Sequence, residues 1–392
     1  MPFFPKTFFW GTSTAAAQIE TAYDHQWKGL KARDGYIFSR TIEHEKQRDT
    51  DLEYIRRFGK MYRCGVDWSR LQTAPFAPFD PDVVDEYRDF FKNVRAVGMD
   101  LMFVLHHFTN PTWFERNGSW LNRKNLPAFQ NYVEQCEQHF GEFVATWNTF
   151  NEPNVYALNG WMQGVFPPHQ KSLWRATQAL DHMARAHNTA FDYLKAKQPD
   201  DPVGISLNTC FFKALHPLGY PLAKFTDWWF IWRTARRFRR LDYYGVSYYA
   251  YIPFVPQPLT ELDTPGELAK RGIPHDKMWG YFPGGLGIIL RKLYRRYRKP
   301  IVITENGICT DDPQRRIASI KDYLRVLHEV MREGVDIRGY IHWSTFDNFE
   351  WNLGMQYRFG LVAVHPDTLE RSMTAAGAFY ETVCQASGFA DD

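Results

Sequence analysis

Eight short apolar or β-branched runs, with helix-like segments between most of them, leave this chain few architectures. The runs are "FFWGT" (8–12), "MYRCGVDW" (61–68), "DLMFVLHH" (100–107), "FVATWNTF" (143–150), "PVGISLN" (202–208), "YYGVSYY" (243–249), "PIVITEN" (300–306) and "IRGYIHWS" (337–344). The segments 80–98, 126–141, 173–197 and 314–334 carry helical periodicity between them. No low-complexity linker, fixed-period repeat or composition break divides the 392 residues. The expectation is therefore an α/β fold, a single (β/α)8 barrel spanning 1–392 as one domain. A doubly wound open sheet is the alternative, but no G-x-G-x-x-G follows the first strand, and a count of eight favours closure.

A barrel assembles its site from the carboxyl ends of its strands, and here those ends are polar. They supply Gln18 beyond strand one, Arg63 in strand two, His107 after three, Asn151 and Glu152 after four, Tyr249 after six, Glu305 after seven and Trp343 after eight. Two carboxylates without a metal-ligand cluster point to acid/base and nucleophilic chemistry, of which glycosidic cleavage is the best-known case. A metal is not expected. His106 and His107 are adjacent in a strand, so one of them faces inward, and His182 and His187 are five apart, which does not suit one helical face. A lone terminal Glu would read as a capping or salt-bridged group. Two of them, with Arg, Tyr, His and Asn at neighbouring strand ends, read as a site.

Composition narrows the partners. A net charge of +3 over this length disfavours a dedicated nucleic-acid binder. Aromatic content of 17%, with 14 Trp and 21 Tyr, suits stacking on sugar rings, although a large aromatic core gives the same figure. The five cysteines Cys64, Cys136, Cys210, Cys309 and Cys384 are scattered and show no C-x-x-C, as expected in a reducing compartment. The opening "MPFFPKTFFWGTS" lacks a basic start followed by an apolar stretch of signal length, and no window has the length of a membrane span. The expectation is a soluble cytoplasmic protein acting on a small-molecule glycoside or oligosaccharide, without nucleic acid, membrane span or cofactor.

From "FFWGTSTAAAQIE", "YRCGVDWSR" (62–70), "LHHFTNP" (105–111) and "TFNEPN" (149–154) to "DYYGVSYY" (242–249), "ITENG" (303–307) and "HWSTFDNFEWNLGMQYRFGLV" (342–362), the chain resembles glycoside hydrolase family 1, the retaining β-glycosidases. The resemblance runs end to end. It implies that Glu152 is the general acid/base and Glu305 the nucleophile of a covalent glycosyl-enzyme, with carboxyls about 5 to 5.5 Å apart and pKa values pushed in opposite directions. It further implies that Arg63 and Tyr249 hold the nucleophile ionised and that Asn151 bonds the sugar 2-hydroxyl. Gln18, His107, Trp343, Glu350 and Trp351 match glycone-binding positions, and Trp279 resembles the aglycone platform.

The chain departs from the family in several places. The region 207–232 is shorter than is common, Ser247 stands where Asn is usual, and Phe108 and Thr109 replace the common Trp-Asp. Glu350 in "DNFEW" marks an ordinary glycosidase, because a branch that cleaves 6-phosphoglycosides has Ser there. The basic stretches 233–241 and 291–300 are read as solvated outer helix faces, and "WWFIW" (228–232) as buried against the barrel. A retaining β-glucosidase, with galactosides and fucosides as further substrates, ranks first. A transglycosylase using the same intermediate and a catalytically degenerate sugar-binding barrel are the alternatives.

Overall fold

All eight expected strands form. The computed structural model describes residues 2–254 and 264–390, and its strands are β1 (Phe9–Ser13), β2 (Met61–Gly65), β3 (Asp100–His106), β4 (Val144–Asn151), β5 (Val203–Ala214), β6 (Tyr243–Phe254), β7 (Ile301–Asn306) and β8 (Ile337–Trp343). Each pairs in parallel with its neighbour, and β1 pairs with β8 to close the barrel. Parallel strands need crossovers, and helices supply them. The helix Pro81–Ala96 starts where Asp80 caps the Asp82 and Val83 amides, and it buries Val84, Tyr87, Phe91 and Val94 at helical spacing.

The barrel interior is layered. Met61, Met102, Tyr243, Val302 and Ile341 form an apolar floor, and because side chains alternate along a strand, the residue two further on also faces inward. That places Arg63 above Met61 and Trp343 above Ile341. Strict alternation would put Thr304, not Glu305, above Val302. The β6–β7 register corrects this, since Val246 pairs with Ile303 but Ser247 with Glu305. The β4–β5 register slips likewise, with Asn148 opposite Gly204 and Asn151 opposite Ser206. Such one-residue bulges re-aim side chains, and here each turns a polar strand end into the mouth.

Three features go beyond the sequence reading. β5 and β6 run on past 208 and 249 as a paired extension to Ala214 and Phe254. An antiparallel pair of short strands, Val362–Val364 and Arg371–Met373, lies outside the barrel. The helix Tyr220–Asp227, a π-helical turn Trp228–Arg233 and the helix Thr234–Arg237 follow one another directly. Trp229 to Trp232 are buried as expected, but Trp228 is exposed.

Candidate active site

Glu305 reaches the mouth as a buried carboxyl with two fixed donors. Arg63 Nη1 donates to its Oε1 at 2.7 Å and the Tyr249 hydroxyl to its Oε2 at 2.9 Å. Arg63 is itself fully buried and held by Ser13 Oγ, Ser206 Oγ and Asn151 Oδ1. A guanidinium only donates, so Asn151 must turn its oxygen to Arg63 and its amide nitrogen to His107 Nε2, 2.8 Å away. His107 therefore accepts at Nε2 and carries its proton on Nδ1. Burial, with Arg63 nearby, pushes its pKa far down and keeps it neutral. That Nδ1 is buried without a protein partner, a donor left for a ligand.

Glu152 follows β4 as the N-cap of the helix Pro153–Ala157, in the left-handed region at φ 41. Its backbone N–H donates to Ser206 O at 2.8 Å, and its Oε1 accepts from Asn208 Nδ2 at 2.7 Å. Burial, reinforced by the Glu305 charge, pushes its pKa up to about 8. Burial also raises Glu305, against Arg63 and Tyr249, which pull it down. The expectation that the two shifts have opposite signs is therefore corrected: both carboxyls lie in a low-dielectric mouth that penalises charge. The asymmetry survives because the guanidinium contacts only Glu305, so Glu152 is the member of the pair that holds the proton.

The remaining residues form a wall beside the pair. Gln18 is fully buried and donates to Asn348 Oδ1, Phe349 O and Glu350 Oε2, which leaves its own Oε1 as an unpartnered acceptor. The Trp343 and Trp351 rings lie 5.7 and 5.9 Å from that of His107. Trp279 is half-buried, 5.7 Å from the Tyr249 ring, on the rim rather than in the main core. Burial, then the Glu305 charge, pushes Glu350 up to about 8. Near neutral pH Glu350 is therefore largely a carboxylic acid. His106 faces away and bonds Asn110, His182 bonds Trp120 O, and His187 bonds Thr149 and Arg240 O. Among the described residues no His, Cys, Asp or Glu cluster could hold a metal ion.

Strand five contributes two residues that the sequence reading passed over, Ser206 and Asn208. Their signal was alternation: Ser206 and Asn208 interleave with the apolar Ile205 and Leu207. The Cys210 thiol donates to Asn208 Oδ1 at 3.4 Å, which orients the amide with its nitrogen toward Glu152. Ser247 lies close enough to Glu152 to lower its proton affinity, yet its hydroxyl has no partner of good geometry. Phe108, at the other departure, is buried and stacks on Tyr156, and its carbonyl accepts from Trp27 Nε1 and Gln26 Nε2.

The pattern of glycosyl hydrolase family 1 matches residues 2–219 and 236–389. The chain is 27% identical to beta-glucosidase A of Acetivibrio thermocellus, over 98% of this chain and 99% of the relative. It is also 27% identical to beta-glucosidase A of Thermotoga maritima, over 99% of each. A solved beta-glycosidase from Pyrococcus horikoshii superposes with a TM-score of 0.89 at 27% identity, covering 100% of this chain and 97% of that one.

Proposed function

The chain belongs to glycosyl hydrolase family 1, and on that premise we propose that it is a retaining β-glycosidase, a β-glucosidase first of all, with 1–392 acting as one catalytic unit. One observation carries the reading: two buried carboxyls share the mouth, one clamped by Arg63 and Tyr249 and the other bonded by Asn208 alone among side chains of the site. Glu305, the member held toward ionisation, attacks the anomeric carbon while Glu152 delivers its proton to the departing oxygen. Glu152, now ionised, takes a proton from water, and the resulting hydroxide character displaces Glu305 from the sugar. Asn151, His107 Nδ1, Gln18 Oε1 and Glu350 supply hydrogen bonds to the glycone hydroxyls, and Trp343 supplies the apolar face. The five cysteines are all unpaired, which suits a reducing compartment, and a cytoplasmic location is part of the proposal.

The test is NMR of the first sugar released from an aryl β-glucoside, run with and without an added sugar acceptor. The expected product is the β-anomer, formed without need of an acceptor. An α-anomer, or turnover seen only with acceptor, would refute the hydrolase reading.

A further inference from the structure

The segment that the family pattern skips, 220–235, makes up most of the continuous helical rod 220–237 outside the barrel. Its inner side is buried through Ala223 and Trp229 to Trp232. Its outer side mixes apolar side chains with Lys224, Arg236 and Arg237. Tyr220, Leu222, Phe225 and Trp228 are exposed, Trp228 by 51%, and Leu218 just before them by 76%. The Phe225 and Trp228 rings lie 6.0 Å apart. Trp229 Nε1 bonds Thr177 Oγ1 on the helix Leu173–Lys197, and one turn back on that helix Trp174 is 71% exposed. Apolar side chains gathered this way on a surface mark a contact site rather than scatter.

The charge around this stripe is segregated. Residues 207–241 hold seven lysines and arginines against one acid, Asp227, and 283–300 hold six against none. With the whole chain at +3, its remainder is acidic overall. The fold brings the two basic stretches together: the Arg296 guanidinium lies 5.8 Å from the Trp232 ring and 5.7 Å from the Tyr297 ring. Asp227 is tied to Trp232 Nε1 at 2.7 Å, where Lys292 lowers its pKa against the larger effect of burial. Among the described residues, Arg233, Arg237, Arg240 and Arg291 are the members of these stretches that form ion pairs. Arg236, Arg239, Arg295 and Arg296 are exposed and are not among them.

We propose that this face docks on an anionic lipid bilayer, with Leu222, Phe225 and Trp228 entering the headgroup layer and Arg236, Arg295 and Arg296 meeting lipid phosphates. A bilayer interface takes aromatic and aliphatic side chains and basic side chains on one surface. A second copy fits worse, because a two-fold contact through this face would set one basic surface against its twin. A nucleic acid would engage the charge but leave the aliphatic stripe in water.

The experiment is co-sedimentation of the full chain with lipid vesicles. At low salt we expect at least ~10-fold more binding to vesicles of about 30% phosphatidylglycerol in phosphatidylcholine than to phosphatidylcholine alone, reversed by roughly 0.5 M salt. Two variants separate the contributions: Arg236→Glu/Arg239→Glu/Arg295→Glu/Arg296→Glu, and Phe225→Ser/Trp228→Ser. Each is expected to lose at least ~10-fold in vesicle binding while keeping its thermal unfolding transition and its turnover of aryl glucoside. Equal partition into both vesicle types, no vesicle binding, tighter binding to a DNA duplex, or a dimer that the serine variant abolishes would each overturn the proposal. Unfolding is read independently of turnover, so an inactive enzyme leaves the test intact.

Discussion

Asn208 donates its amide to Glu152 Oε1 across 2.7 Å while Asn154, two residues past Glu152, grips the Asn208 backbone on both sides. Asn154 Oδ1 accepts the Asn208 N–H and Asn154 Nδ2 donates to the Asn208 carbonyl. The acid and strand five thus fix each other. Because Oε1 is occupied by a donor, the proton of the acid form must sit on Oε2, the oxygen left for a leaving group.

Replacing Asn208 with Ala should therefore act through Glu152. The lost bond favoured ionised Glu152, so its pKa, already about 8 from burial, rises further. The basic limb of the pH profile of kcat/KM should move to higher pH. Misplacement of the acid should slow poor leaving groups by roughly 10- to 100-fold and activated ones much less. A basic limb that stays in place would show that Asn208 does not position Glu152.

Removal of the nucleophile is the more drastic change. Glu305→Gly should lose at least ~10⁴-fold in hydrolysis, since among the site residues described above no other group is placed to attack from that side. Supplied with an α-glycosyl fluoride and a sugar acceptor, the mutant should form glycosides. Near-native hydrolysis by folded Glu305→Gly would remove it from the mechanism.

Glu152→Ala separates proton delivery from attack. Dinitrophenyl glycosides leave without a proton and should react readily with Glu305, whereas alkyl glycosides should slow by about 10²-fold or more. Azide should enter the space left by the carboxyl and give a β-glycosyl azide. Equal losses for both substrate classes would show that the acid lies elsewhere.

The eight strands were legible because alternation and β-branched content survive in short windows, and the site followed from which polar residues end each strand. Two things were not. The one-residue register slips that aim Asn151 and Glu305 inward are set by pairing with β5 and β6, and a single strand read alone does not contain its neighbour's register. The rise of Glu305 and Glu350 in pKa arises from how deeply the closed mouth buries them, a collective property of the whole barrel. Asn208 ends the alternating run "GISLN", but strand five carries neither a charged end nor one of the family motifs, so nothing in that run alone ties it to Glu152.

That burial also costs stability in a pH-dependent way. Glu350 titrates near 4.5 when unfolded and about 8 when folded, so the folded state holds the extra proton. Stability attached to this group is complete below about pH 4.5 and is lost as pH rises toward 8. Glu350→Gln keeps the shape without the titration. It should raise Tm at pH 8 and change it little at pH 5, as scanning calorimetry would read. A Tm gain of equal size at both values would mean that Glu350 is not held protonated.

The same titration governs the choice between a free and a phosphorylated sugar. With Glu350 facing the 4- and 6-hydroxyls, as the family resemblance implies, a 6-phosphate would be pressed against it. The donor that Glu350 has in the structure is neutral Gln18, and Arg63 is committed to Glu305, Asn151, Ser13 and Ser206. A phosphate there loses its water and gains no cation from either Gln18 or Arg63, which disfavours it even when Glu350 is neutral. Once Glu350 ionises, like charges about 4 Å apart add roughly 4 kcal/mol of repulsion per unit charge at an effective dielectric near 20. Rejection should thus grow with pH, because deprotonation near pH 8 switches the repulsion on. Loss of the Glu152 proton slows both substrates alike and cancels in their ratio. We expect kcat/KM for p-nitrophenyl β-glucoside to exceed that of its 6-phosphate by at least ~100-fold at pH 6.5, where the phosphate is already largely a dianion, and the ratio to widen at pH 8.5. A ratio that stays flat would remove Glu350 ionisation from the argument, and faster turnover of the phosphorylated substrate would remove Glu350 from the sugar pocket.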